Sequence, residues 1–99
     1  PPYTRLIRIT LRHRQLKISK NAANWLFQVL NQQMASNVLG PVAPLVSRVR
    51  NQYLHQLMIK IPPHQSLGNT KTFIRKVYQK FNSQKEFSRV SLTLDVDPI

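Results

Sequence analysis

The stretch Val38–Ile61, VLGPVAPLVSRVRNQYLHQLMIKI, decides how the chain folds, because it holds both the sharpest turn signal and the longest strand signal. Gly40 and Pro41, with Pro44 close behind, exclude a helix: proline lacks an N–H, and glycine serves backbone angles that other residues avoid. Beyond a basic rim at Arg48 and Arg50, the residues Tyr53, His55, Leu57, Ile59 and Ile61 alternate with Leu54, Gln56, Met58 and Lys60. A period of two places the first set on one face of a strand, and Pro62 and Pro63 end it.

Working outward, Tyr3–Arg14 reads as a strand with Ile7, Ile9 and Leu11 on one face and Arg8, Thr10 and Arg12 on the other. Ser19 is the expected N-cap of the helix that follows, whose stripe is Ala22, Trp25, Leu26, Val29, Leu30 and Met34. Ser36–Pro44 is expected to hold a short edge strand and its turn. After the central strand, Ser66 or Asn69 caps a second helix with Thr70, Phe73, Ile74, Val77 and Phe81 inward and Lys71, Arg75, Lys76 and Gln79 outward. Arg89–Val96 closes the chain as a strand with Val90, Leu92, Leu94 and Val96 inward. The order β-α-β-β-α-β predicts an α+β fold, a four-stranded sheet with two helices on one face, the ferredoxin-like arrangement. Its central strands would put Arg8, Thr10, Arg12, Gln56, Met58, Lys60, Ser91 and Thr93 on the uncovered face. That face is basic and poor in aromatics, unlike an RNA platform that stacks bases on its strand centres.

Ninety-nine residues make one domain with a modest core, and an opening Pro-Pro without methionine suggests an excised piece. Without cysteine there is no disulfide, thiolate zinc site or cysteine nucleophile. No apolar run nears the roughly 18 residues of a membrane span, and no signal peptide is evident. Fifteen Lys and Arg against three acids give a net charge of +12, and the first acid along the chain is Glu86. A domain this basic is expected beside a polyanion, most often nucleic acid, through Arg8, Arg12, Arg48, Arg50 and Lys60. Each phosphate it neutralises would release counterions, so affinity should fall steeply with salt. Asp95 and Asp97, two apart on one strand face, are better read as structural than as metal ligands: Asp95 as a cross-sheet partner of Arg8 or Lys60, and Asp97, before Pro98, as the end of the strand. His13, His55 and His64 lie on separate elements without ligand spacing and read as surface or rim residues.

Three segments carry a resemblance. PPYTRL resembles a YPPF-x-RL motif, VLGPVAPLVSRVRNQYLHQLMIK a VLGPxPAPxxRxRxxYRxQLLIK motif, and SLTLDVDP a closing DVDP motif. In this order, over nearly the whole chain, they resemble the C-terminal domain of the primosomal replication-restart helicase family, PriA (primosomal protein N′). The resemblance implies a fold like that of ribosomal protein S10 and a single C-terminal domain over residues 1–99, part of a larger bacterial, cytoplasmic, nucleoid-associated helicase. It implies that the ATP-dependent 3′-to-5′ motor and the zinc-binding cysteines belong to that parent, leaving no catalytic residue, cofactor or metal here; no phosphate-cradling GxxxxGK[ST] run is present. The partners it implies are single-stranded or forked DNA, the acidic tail of the single-strand DNA-binding protein, and the rest of the helicase chain, with no membrane. Arg48 and Arg50 stand at the family's basic positions and Tyr53 at its aromatic, while His55 stands where an aromatic is common. Tail docking is expected at the start of the second helix, through Lys71 and Arg75. Two other readings compete: an S10-like RNA-binding or structural module, and an acylphosphatase-like enzyme, for which neither Gly40 nor Gly68 lies in a suitable glycine-rich turn.

Overall fold

The computed structural model describes residues 5–34, 37–42, 48–62 and 65–97. Along the chain run β1 (Arg5–His13), α1 (Leu16–Met34), β2 (Val38–Val42), β3 (Arg48–Val49), β4 (Gln52–Ile61), α2 (Leu67–Asn82), a 3-10 turn (Lys85–Phe87) and β5 (Ser91–Asp97). The sheet is antiparallel in the order β2-β4-β1-β5, and the two-residue β3 pairs with β4 off that path. This is the β-α-β-β-α-β arrangement expected from periodicity, with the first strand and the long strand at its centre.

Register explains the core. Ile7 faces Ile59 and Val96, Ile9 faces Leu57 and Leu94, and Leu11 faces His55 and Leu92, so the alternating apolar sets of three strands meet in rows. Ile7, Ile9, Leu11, Leu57, Ile59 and Ile61 are buried under α1, which contributes Ala22, Ala23, Leu26 and Leu30, and α2, which contributes Ile74, Val77 and Phe81. Between the helices, Trp25 lies 5.7 Å from Phe81 and 6.2 Å from Phe87, and Phe81 stacks on Phe87 at 5.2 Å between centroids. Trp25 is therefore spent on the core margin rather than offered to a base, and Phe87 pins the 3-10 turn to the body of the domain.

Four local expectations are corrected. Ser19 is no cap: α1 starts at Leu16, because His13 Nδ1 accepts from the Gln15 N–H at 2.9 Å and turns the chain into the helix earlier. Gly40 and Pro41, the sharpest turn signal in the sequence, lie inside β2, where the register with β4 shifts between Leu39 and Val42. Gly40 has φ of 115°, and a Cβ there would stand 2.9 Å from the Gln56 carbonyl oxygen, so only glycine fits this bulge. An edge strand tolerates Pro41 because one of its sides needs no donor. Arg48 belongs to a hairpin that alternation did not reveal, turned by Arg50 and Asn51 at φ of 51° and 63°. Arg89 precedes β5, which begins at Ser91. Ser66 does cap α2, accepting from the Asn69 N–H at 3.2 Å. The expectations for Tyr3, Thr4, Ser36, Pro44, Pro63, His64 and Pro98 fall outside the described residues.

Candidate nucleic-acid interface

The predicted cations separate into three places. Arg8, Arg12 and Lys60 share the sheet face that no helix covers: Arg8 stands between Met58 and Asp95, Arg12 between Leu54 and Ser91, and Lys60 opposite Leu6. Gln56 donates to Thr10 Oγ1 at 3.4 Å between them. The same face carries more apolar surface than expected, since Leu6 and Leu39 join Leu54 and Met58, and Leu39 is 43% exposed. Arg12 Nε is buried without a hydrogen-bond partner among the described residues. Arg8 opposite Asp95 is the cross-sheet placement anticipated for that acid; the side chain of Asp97 is not among those described.

Arg48 and Tyr53 form a second unit on the hairpin. They are direct cross-strand partners, and the Arg48 guanidinium carbon lies 5.2 Å from the Tyr53 ring centroid while Nη2 donates to Asn51 Oδ1 at 3.3 Å. Arg50, exposed at the tip, extends this unit. Alternation from Leu57 through His55 puts Tyr53 on the helix side of the sheet, opposite to Arg8 and Arg12, so the six residues predicted to bind nucleic acid do not make one surface.

Lys71 and Arg75 belong to neither. They rim a groove of about 510 Å³ between α2 and β5, floored by Ile74, Tyr78, Leu92 and Val96 and by Leu94, which is 38% exposed. Missed altogether was a cleft of about 740 Å³ at the hairpin end of the sheet, lined by His13, Arg14 and Gln52 with Lys85, Glu86 and Arg89. Strand periodicity is blind to Lys85, in the 3-10 turn, and puts Arg89 on the last strand when it lies in the turn before it; their flanking of the apolar Phe87 was the available signal.

His55 departs from its reading as a rim residue. The buried Ser19 hydroxyl donates to the Tyr53 carbonyl at 3.0 Å and lies 2.7 Å from His55 Nδ1. The Ser19 hydroxyl thus bridges the Tyr53 carbonyl and the His55 ring. Burial, with a smaller contribution from the Lys20 ammonium, holds His55 below the ordinary histidine range. Among the described residues no three His, Cys, Asp or Glu side chains gather to hold a metal ion, and no helix is long and apolar enough to cross a membrane.

Comparison with known proteins agrees with the resemblance drawn from the sequence. The family described as Primosomal protein N C-terminal domain matches residues 1–99. The chain is 31% identical over 101 residues to the replication restart protein PriA of Treponema pallidum (strain Nichols), covering 100% of this chain and 14% of that protein. It is 23% identical over 100 residues to the replication restart protein PriA of Bacillus subtilis (strain 168), covering 99% of this chain and 12% of that protein. The chain thus spans a small fraction of the length of these relatives.

Proposed function

Since this chain belongs to the family of primosomal protein N C-terminal domains, we propose that it is the DNA-contacting and partner-docking module of a replication-restart helicase. In this reading the ATP-driven motor and any zinc belong to the parent chain, in a bacterial cytoplasm, and the domain supplies affinity rather than catalysis. The observation that carries it is the uncovered sheet face, where Arg8, Arg12 and Lys60 stand among the hydrogen-bonding side chains of Thr10, Gln56 and Thr93. Arginine there brings planar donors to phosphate oxygens, and the neighbouring apolar side chains accommodate sugar and base without selecting sequence.

The test is a titration of labelled single-stranded and forked DNA at several salt concentrations. Affinity falls with salt, and Lys60→Gln lowers the slope of log K against log salt by about 1 without sequence preference. Absence of any salt-sensitive binding at low ionic strength would overturn the reading. Tighter binding of structured RNA than of forked DNA in competition would favour an S10-like RNA module instead.

The groove between α2 and β5 supports the partner half of the proposal. An apolar floor under Lys71 and Arg75 suits a short acidic peptide with an apolar end, the chemistry expected of the single-strand DNA-binding protein's tail. Lys71→Glu with Arg75→Glu abolishes binding of such a peptide while DNA affinity keeps its dependence on Lys60; retention of peptide binding would remove this site.

A further inference from the structure

The cleft at the hairpin end of the sheet gathers charge from several elements into one concavity. Three permanent cations, Arg14, Lys85 and Arg89, meet one carboxylate, Glu86, in a concavity of about 740 Å³. A concave basic site between low-dielectric walls concentrates positive potential more than a flat surface does. Its position is built in: Phe87, buried in the aromatic cluster with Phe81 and Trp25, fixes the turn that carries Lys85 and leads to Arg89.

Two neutral side chains that line the cleft are donors too. His13 Nδ1 is occupied as an acceptor by the Gln15 N–H, so the neutral ring carries its proton on Nε2 and can donate from there. Gln52 offers an amide NH₂ from the hairpin. Glu86 is the exception, an acceptor at the margin that disfavours a second carboxylate or phosphate on its side. A site so rich in donors matches an oxygen-rich anion. Its volume lies within the range of about 300–1,000 Å³ in which pockets enclose small ligands, which suits a segment of a few nucleotides.

We propose that this cleft binds the phosphates of a single-stranded nucleic-acid segment, and that the segment's neighbouring base stacks on the Arg48–Tyr53 unit. His13 is the direct cross-strand partner of Tyr53, so the cleft and this unit are contiguous. Arginine planes and aromatic rings both hold bases without regard to sequence. This inference rests on the DNA-contacting reading and adds where a single strand runs, away from the open face.

The decisive experiment compares Lys85→Gln/Arg89→Gln with Arg5→Gln/Lys76→Gln, which removes the same charge from exposed positions outside the cleft. Each is titrated with a short labelled oligothymidylate over a range of salt, with a thermal melt to show that it is folded. The cleft pair weakens binding about tenfold and flattens the salt slope by about 1.4, two phosphate contacts' worth for a single strand; the control pair weakens it less. Tyr53→Leu weakens binding of the oligothymidylate but not of an abasic strand of equal length. Equal losses from the two charge pairs, with the wild type still binding DNA, would overturn the cleft and leave the DNA-contacting reading standing. Equal losses of Tyr53→Leu on both strands would overturn the stacking. No binding by the wild-type chain would overturn both readings together.

Discussion

Ser19 shows how one side chain can satisfy a sequence rule and do something else. A serine ahead of an apolar helical stripe resembles an N-cap, but here the helix has already begun, and the hydroxyl ties α1 to two residues of β4. Nothing local could have shown this, because its partners Tyr53 and His55 are distant in sequence. Ser19→Ala removes both hydrogen bonds, and urea unfolding should register a loss of about 1–3 kcal/mol. His55 gives the same region a pH dependence. Its folded pKa lies below the unfolded value, so the folded state binds fewer protons: the stabilisation is whole above the unfolded pKa near 6.5 and is lost as pH falls through the lower folded value. The loss reflects the burial of charge, with a smaller part from the Lys20 ammonium. Unfolding curves from pH 8 to pH 5 (the span about the ordinary histidine range) should show the decline, and His55→Gln should flatten it.

At the level of elements, the strands with strict alternation were legible and the irregular pieces were not. β1 and β4 announce themselves because Ile7, Ile9 and Leu11 in one and Leu57, Ile59 and Ile61 in the other recur with a period of two, and burial rewards that pattern without help from distant residues. The β2 bulge was half legible: Gly40 and Pro41 signalled a break, but whether a break is a turn or a bulge depends on the carbonyl of Gln56 that a neighbouring strand brings alongside. The β3–β4 hairpin was least visible, since Arg50–Asn51 is a weaker turn signal than Asn-Gly. Its two left-handed residues make a local prediction. Asn51→Gly should hold or raise the melting temperature, whereas Asn51→Val should cost about 1–2 kcal/mol, as expected for an L-residue forced into that region. The same contrast explains the site: cations on strands could be assigned to a face in advance, and those in the 3-10 turn and bend could not.

For the whole molecule, the net charge of +12 sets stability and binding against each other. Self-repulsion destabilises the compact state, and raising ionic strength shortens the screening length from about 30 Å at 0.01 M to about 10 Å at 0.1 M. The melting temperature of the free chain should therefore rise with salt over the range in which its DNA affinity falls; a melting temperature that is flat or falls would mean that the cations are already compensated within the fold. The strand order carries a last consequence. β1 lies between β4 and β5, so of this domain's strands the earliest in sequence keeps one long edge bare until the last has been synthesised. A nascent chain halted before Ser91 would offer Arg5–His13 as a template for any extended neighbour, and a premature stop there turns a solvated module into an adhesive one.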